Sequence, residues 1–344
     1  MTRPIEVVPF GGDDERWNAF VAEDPRSTFC HLAQWRDVLG DVLGHECPYL
    51  VAMAADTRYA GVLPLVRVRS PLFGHYLVSQ PFLNAGGPLG SPEAESQLVA
   101  GAVALARRSG ADLLELRPRW PVPGDLAVSH RKVTVVLDLP STAPALWEAV
   151  FPSKLRSQIR RPLKDGMEVR FGLEQVAPFY EVFARTMRDL GTPVLPRTFF
   201  EHIAAVFRPL VTCGVVYAGP RPVAGALGFV WRGEFQMTWA GSLHEYAPQA
   251  PNMLLYWAFI ERMIERGVKR FDFGRCTPGG GTHRFKRQWG GVDVPLPWLQ
   301  WSGRGVTSTP LPERPIFRLA RAAWRRLPMP IANRVGPVLA RHLP

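Results

Sequence analysis

The chain has 344 residues, of which 47% are hydrophobic and 21% charged. This composition excludes an intrinsically disordered protein and suffices for two domains of ordinary size. The formal net charge of +11 favours polyanionic partners such as RNA, phosphorylated carriers or an anionic membrane surface. The alternative is a soluble protein from a genome rich in arginine codons.

Short sequence signals narrow the class of protein further. The four cysteines are far apart and form no Cys-x-x-Cys pair, which argues against a zinc cluster or a disulfide framework, so no metal site is predicted. The sequence contains neither the apolar core of a signal peptide nor a run of about 18–20 apolar residues. We therefore expect a cytoplasmic protein.

One pattern of elements occurs twice. Residues 49–68 and 211–231 each predict two strands joined by a polar turn. In each copy a further strand-like stretch, a loop with proline, a long helix and a short strand follow, at an offset of about 160 residues. The predicted helices and final strands are Pro92–Arg108 with Asp112–Arg117, and Pro251–Arg266 with Arg270–Gly274. A generic duplication of an α+β unit would give the same pattern.

A helical insertion, residues 152–191, is predicted between the copies. Ser153 can cap its first helix, in which Leu155, Ile159 and Leu163 share one face. Pro162 is expected to kink or end this helix, because proline removes a backbone hydrogen bond. The second predicted helix is Val176–Leu190. The predicted domains are residues 1–140 and 141–303, followed by a basic, proline-interrupted tail, 304–344.

Four ordered segments resemble the FemAB-related family linked to exosortase (XrtA/PEP-CTERM) systems. They are SKLRSQIRRPLKDGMEVRFG, FYEVFARTMRDLGTPVLPRTFF, APNMLLYWAFIERMIERGVKRFDFGRCT and GGTHRFKRQWGG. The resemblance implies an α+β fold of two tandem GNAT-like (acyl-CoA N-acyltransferase) domains, each a mixed sheet with flanking helices. In the wider Fem family it implies transfer of an aminoacyl group from aminoacyl-tRNA to a peptidoglycan precursor. Its exosortase-linked branch is associated with exopolysaccharide or surface-protein sorting.

Two acyl donors remain open, and we expect no tightly bound cofactor. Acetyltransferases that use coenzyme A bind its pyrophosphate with a Gln/Arg-x-x-Gly-x-Gly/Ala loop at a helix N-terminus. The corresponding loops here, FLNAGGPLGSP and SLHEYAPQAPN, do not contain that motif. This difference and the positive charge favour aminoacyl-tRNA as co-substrate, whereas the implied fold favours acyl-CoA.

Amide formation requires a neutral amine, a stabilised oxyanion and alignment of both substrates. Lys286 follows a glycine-rich turn and matches the lysine of the family's phenylalanine–lysine element, so we predict that it stabilises the oxyanion or binds a phosphate. A solvated basic loop is the alternative. Asp272 is a candidate to accept a proton or orient the amine, or else to pair with Arg275. His283 is a candidate base, although a lone loop histidine more often has no such role.

Further candidates rest mostly on the resemblance. The predicted substrate-binding residues are Tyr180, Arg188, Asp189, Trp239, Tyr246, Asn252, Arg275 and Arg284. Helix capping is the alternative for Asn252, and core packing is the alternative for the two aromatic residues on or near strands. A phosphate-binding site for tRNA or a lipid-linked sugar is predicted from the basic residues Lys154, Arg156, Arg160 and Arg161, with a solvated helix face as the alternative.

Residues 314–327 predict a basic amphipathic helix. Its apolar side contains Ile316, Phe317, Leu319, Ala320, Ala323, Trp324 and Leu327, and its other side contains Arg314, Arg318, Arg321 and Arg325. Such a helix suits peripheral attachment to an anionic inner-membrane surface. Packing across the two domains is the alternative.

The sequence therefore predicts an acyltransferase that forms an amide on an amine of a cell-surface polymer or its lipid-linked precursor. That acceptor would be its main partner, with tRNA and the membrane surface as further partners. The competing hypotheses are a non-catalytic binding protein that keeps the fold, since fold alone does not prove chemistry, and an RNA-binding protein.

Overall fold

The computed structural model describes residues 5–70, 74–303 and 315–343, without the side chains of residues 315–317. These residues divide into two compact units. The first contains residues 5–132, apart from 71–73, together with 295–303 and 341–343. The second contains residues 133–294 and 315–340.

The elements of the first part of the chain include the first predicted copy. They are β1 (Glu6–Pro9), α1 (Asp14–Glu23), α2 (Trp35–Leu43), β2 (Leu50–Met53), β3 (Tyr59–Leu63), β4 (Val66–Ser70), β5 (Gly74–Val78), β6 (Leu89–Gly90), α3 (Pro92–Ser109) and β7 (Leu113–Leu116).

The remaining elements contain the insertion, the second copy and the tail. They are β8 (Ala127–Asp138), α4 (Ala143–Ala149), α5 (Ser153–Lys164), β9 (Met167–Phe171), α6 (Val176–Leu190), α7 (Arg197–Val206), β10 (Val211–Ala218), β11 (Arg221–Trp231), β12 (Glu234–Ser242), α8 (Pro251–Glu265), β13 (Arg270–Cys276), α9 (Gly281–Arg287), β14 (Val292–Ser302), α10 (Pro315–Trp324) and α11 (Met329–Ala340). The second copy has the predicted order of two strands, a third strand, a helix and a strand. In the first copy the strand predicted after the turn is divided into β3 and β4, which belong to different sheets, and β5 and β6 precede the helix.

In the first unit, strands β1, β2, β3 and β6 form one antiparallel sheet, and β4, β5, β7 and β14 pair in that order. Helix α3 begins at Ser91, whose hydroxyl accepts a hydrogen bond from the backbone N–H of Ala94 at 3.2 Å. It ends at Gly110, which has φ 65° and adopts the left-handed conformation that favours glycine. Leu98 and Ala102, four residues apart, bury the same side of the helix in the core.

In the second unit, six strands pair in the order β8-β13-β12-β11-β10-β9. Helix α8 packs against one face, where Ala224 and Ala226 of β11 join its core. Helix α6 packs against the other face. Gly225 lies between those two alanines, and a Cβ atom there would be 3.3 Å from the Phe179 ring. The small residues of β11 therefore let both helices approach the sheet closely.

The predicted packing of helix α5 is wrong at one position. Leu155 and Ile159 are buried as expected, but Leu163 is 53% exposed and Pro162 is buried instead. The helix continues for only two residues past this proline. Proline has an apolar ring and no backbone N–H. Its burial in the last turn therefore leaves no N–H group of its own without a partner.

The predicted limits at residues 140 and 303 differ from the division of the structure. The compact units divide at residues 132 and 133. Residues 295–303 belong to the first unit, because Leu299 of β14 pairs with Leu116 of β7. The tail forms α10 and α11, whereas Arg314 and the side chains of Ile316 and Phe317 lie outside the described residues. Among the described helices, none is both long and apolar enough to cross a bilayer.

The contrast between Ile159 and Leu163 gives a matched pair of substitutions. Ile159→Ala removes fully buried atoms and should lower the free energy of unfolding by about 2–4 kcal/mol. Leu163→Ala, four residues further along the same helix, should change it by about 0.5 kcal/mol or less. Urea unfolding followed by circular dichroism measures both, and equal losses would contradict the packing of α5.

Candidate functional site

Two central strands of the second unit diverge from one another. Strands β12 and β13 are parallel and pair over three residues, the last pair being Gln236 and Asp272. Both strands are described in full, and they continue to Ser242 and Cys276 without further pairing between them. Facing backbone N–H and C=O groups of separated strands are open to another hydrogen-bonding partner. We call this opening the fork, with its base at Gln236 and Asp272.

A buried carboxylate links three strands at the base of the fork. Asp272 is 0% exposed and accepts hydrogen bonds from Gln236 Nε2 at 2.9 Å and from the backbone N–H of Gly274 at 2.7 Å. The hydroxyl of Thr134 on β8 donates to Oδ1, the oxygen that also accepts from Gly274. These donors occupy most of the acceptor capacity of a carboxylate. The placement favours a positioning role for Asp272 over the predicted role of proton acceptor.

Strand β13 is irregular immediately beyond the base. Gly274 has φ 77°, in the left-handed region, and the pairing of β13 with β8 shifts between Asp272 and Arg275. A glycine adopts this backbone conformation without the steric cost of a Cβ atom. The carbonyl oxygens of Gly274 and Arg275 accept hydrogen bonds from Lys286 Nζ, at 2.7 and 3.1 Å.

Lys286 therefore lies beside β13 as a buried cation. The side chain comes from α9 and is only 6% exposed. Burial lowers the pKa of Lys286 to about 8, and the nearby Cys276 and Asp272 partly oppose that shift. An ammonium has three N–H donors, and the two carbonyls use two of them. At neutral pH the group is still mostly charged, so its remaining donor is suited to an anionic or carbonyl oxygen.

His283 and Arg284 hold the glycine turn that precedes α9. The backbone N–H of Gly279 donates to His283 Nδ1 at 3.1 Å, so Nε2 carries the proton toward Asp293, 2.9 Å away. Arg284 Nη1 donates to the Gly279 carbonyl at 2.7 Å. Both ring nitrogens of His283 are thus engaged, which contradicts its placement as a free general base. These residues orient the helix that carries Lys286.

Most of the second unit matches a known protein family. Residues 152–287 match the family described as acetyltransferase (GNAT) domain, a range that includes the fork and Lys286. No curated protein matches the sequence.

Several solved structures share the fold over nearly the whole chain. FemX is similar with a TM-score of 0.63 and 15% identity, over 91% of this chain and 100% of FemX. L-PGS from Bacillus licheniformis gives 0.57 and 13%, over 92% and 98% of the two chains. A tandem GNAT protein from the clavulanic acid biosynthesis pathway gives 0.54 and 15%, over 89% and 100%. The predicted fold class, two tandem GNAT-like domains, is confirmed.

The aromatic candidates lie mainly in the core of the second unit. Trp239 packs edge-on against Phe199 and Phe200, with ring centres 5.8 and 5.4 Å apart. Tyr180 also contacts Phe200, and burial raises its pKa. These contacts favour core packing, the alternative reading of Trp239. Tyr246 is half-buried beneath the Arg221 guanidinium, 5.4 Å from the ring centre.

Three polar candidates are at the ends of helices. Asn252 lies in the first turn of α8, behind a residue in the left-handed conformation that makes no side-chain cap. Arg188 forms an ion pair with Asp189 at 2.7 Å and donates to the Leu327 carbonyl at 3.0 Å. The structure does not bring this pair to Tyr180, because eight residues of helix separate Arg188 from it by about 12 Å along the axis.

The predicted basic segment is on the surface of α5. Lys154, Arg160 and Arg161 are exposed, and Arg156 is half-buried. The Arg160 guanidinium lies over the Trp147 ring, 5.2 Å from its centre. The arrangement is compatible with phosphate binding and equally with a solvated helix face.

Sequence reasoning missed Gln236 and Thr134. Each has apolar neighbours on both sides in its strand, and both are buried, 3% and 1% exposed. A polar residue inside a buried strand requires a partner, and this signal could have identified them. Only the pairing of strands shows that the partner is Asp272. In the described residues no group of three or more His, Cys, Asp or Glu side chains could hold a metal ion.

The hydrogen bonds of Asp272 lead to a stability prediction. Asp272→Asn places an amide N–H₂ among donors and should lower the free energy of unfolding by about 2 kcal/mol or more. Asp293→Asn, at the partly exposed partner of His283, should cost about 1 kcal/mol or less. Thermal and urea unfolding compare the two. Full stability of Asp272→Asn together with loss of activity would instead support a catalytic carboxylate.

Proposed function

We propose that this protein is an N-acyltransferase that forms an amide on an amine of a cell-surface polymer or its lipid-linked precursor. The GNAT fold and the matched acetyltransferase domain support acyl transfer in general. The acceptor is proposed from the resemblance of four sequence segments to the FemAB-related family, and the link to exopolysaccharide and exosortase systems rests on that resemblance alone.

The observation that carries the proposal is the buried ammonium of Lys286 beside an open fork. In amide formation the neutral amine attacks the carbonyl carbon of the donor, and the carbonyl oxygen becomes an oxyanion. When this intermediate collapses, the C–N bond remains and the bond to the leaving oxygen or sulfur breaks. The amine gives up a proton and the leaving group gains one. A charged donor in a buried site stabilises the oxyanion more strongly than water does.

Lys286 acts in this proposal through its charge, and other side chains position it. Its two backbone carbonyl contacts fix the ammonium beside β13, and Asp272 fixes that part of β13 relative to β12 and β8. Both nitrogens of His283 are engaged in the turn before α9. The acceptor amine therefore loses its proton to solvent or to the leaving group.

The donor is proposed to be an acyl ester or thioester on a phosphate-bearing nucleotide carrier. Both candidate donors, aminoacyl-tRNA and acyl-CoA, have this chemistry. The exposed cations of α5 offer contacts for phosphates, and the part of β12 beyond Gln236, which no longer pairs with β13, offers backbone hydrogen bonds to an extended chain. The identity of the carrier requires a direct binding measurement.

Removing the charge of Lys286 tests the proposed reaction. Lys286→Met keeps an unbranched apolar chain and should lower the rate constant of transfer about 100- to 1000-fold, as expected for loss of an oxyanion donor. In the wild type, a rate that depends on the ammonium should fall as the pH rises above about 8, where Lys286 loses its proton. Lys286→Arg, if it retains activity, should lack that fall.

The control for this experiment is His283→Gln, which should retain transfer within a few-fold. Melting temperatures of all variants establish that they fold. Undiminished transfer by a folded Lys286→Met would contradict the role of Lys286. Loss of transfer in His283→Gln alone would restore the histidine as base.

The donor can be identified by ligand-dependent stability. A donor at about 100 times its dissociation constant should stabilise the native protein by roughly 2.7 kcal/mol, which raises the melting temperature measurably. A panel of acyl-CoA esters and a mixture of aminoacyl-tRNAs provide the two arms, with free coenzyme A and deacylated tRNA as controls. If neither class shifts the melting temperature and no transfer occurs, a non-catalytic binding protein becomes the better hypothesis.

A further inference from the structure

Helix α11 buries its small residues and exposes its large apolar ones. Ala332, Gly336 and Ala340, four residues apart, are buried on one side. A Cβ atom on Gly336 would lie 3.3 Å from the Val194 backbone and 3.6 Å from the Trp324 ring. This close approach explains why only small residues occupy the inner side.

The outer side of α11 is an apolar stripe. It consists of Ile331, Val335, Val338 and Leu339, which are 48%, 39%, 52% and 36% exposed. Their spacing of four, three and one residues places them within about 100° of the helix circumference. An ordinary surface helix buries such residues and exposes polar ones. The α11 stripe is therefore a surface suited to contact with another apolar phase.

The segment that contains the stripe carries charge of one sign. Residues 315–340 contain five arginines and no Asp or Glu. Arg318, Arg321, Arg325, Arg326 and Arg334 are all exposed. Leu319 of α10 is 72% exposed as well. Apolar side chains in a segment that has arginines but no acids match the chemistry of an anionic lipid surface, which offers acyl chains beneath negative headgroups.

We propose that α10 and α11 form a docking surface for an anionic phospholipid bilayer, with the α11 stripe entering the interface and the arginines binding the headgroups. The proposal extends the surface predicted at residues 314–327 to α11. A second copy of the chain is a poorer occupant, because it would bring arginines against arginines. Four stripe residues are also few compared with the about 20–30 residues that each partner contributes to a stable protein interface.

Vesicle flotation of the full-length protein tests this proposal without any substrate. The wild type should float with vesicles of equal parts phosphatidylcholine and phosphatidylglycerol, but not with phosphatidylcholine alone. The double variant Val335→Glu/Val338→Glu should lose at least tenfold in partitioning. Leu163→Glu/Val128→Glu is the matched control, since it adds the same two charges at exposed apolar residues of α5 and β8, and it should bind as the wild type does.

A second pair of substitutions tests the charge. Arg326→Gln/Arg334→Gln should weaken partitioning about 25-fold, from roughly fivefold for each arginine near an anionic surface, and added salt should also weaken wild-type binding. Melting temperatures show whether the variants fold.

Three results would overturn the proposal. These are no flotation of the wild type with anionic vesicles, equal flotation with neutral vesicles, and wild-type flotation of a folded stripe variant. Light scattering provides a further contradictory outcome, namely a dimer that the stripe variant abolishes. None of these results depends on acyl transfer, so the docking surface and the proposed reaction can fail separately.

Discussion

The buried carboxylate of Asp272 is the interaction on which the candidate site depends. It accepts hydrogen bonds from β8, β12 and its own strand at the last point where β12 and β13 are paired. A buried charge without such donors would be strongly unfavourable, so the three strands are constrained to meet there. Beyond this point β12 and β13 no longer pair with one another, and the strands diverge. The same contact that stabilises the sheet therefore determines where it opens.

The position of Lys286 follows from the irregularity beside that link. Because Gly274 adopts a left-handed conformation and the ladder with β8 shifts, two carbonyl oxygens of β13 accept from an ammonium. Burial of that ammonium destabilises its charged form, and the carbonyls compensate in part. A cation with a lowered pKa and one remaining donor is a costly arrangement for a purely structural lysine. A negative charge that develops nearby during a reaction would stabilise this ammonium, which is why we place the candidate site there.

Much of the fold could be predicted from the sequence, because its signals are local. Ser91 and Gly110 delimit α3 through a cap and a left-handed residue, and the spacing of apolar residues gave the bounds of α6 at Val176 and Leu190. The site was predicted less completely. Lys286 can be predicted from the family resemblance and from the glycine turn before it. The contacts of Gln236 and Thr134 with Asp272 cannot, because they form only through the pairing of strands that are far apart in sequence. His283 was assigned as a base because no sequence signal shows that Gly279 and Asp293 engage both nitrogens.

In the tail, too, some features can be predicted from the sequence and others depend on tertiary contacts. Its basic, amphipathic character can be seen in the sequence, but the direction in which α11 faces cannot, since its apolar residues would normally predict a buried side. The small residues determine which side of α11 packs, because the backbone of the loop after α6 lies very close to Gly336. Once Ala332, Gly336 and Ala340 occupy that contact, the helical repeat leaves Ile331, Val335 and Val338 outward. The exposed stripe is thus next to the closely packed side of the helix, and its segment has arginines but no Asp or Glu, which favours contact with an anionic surface.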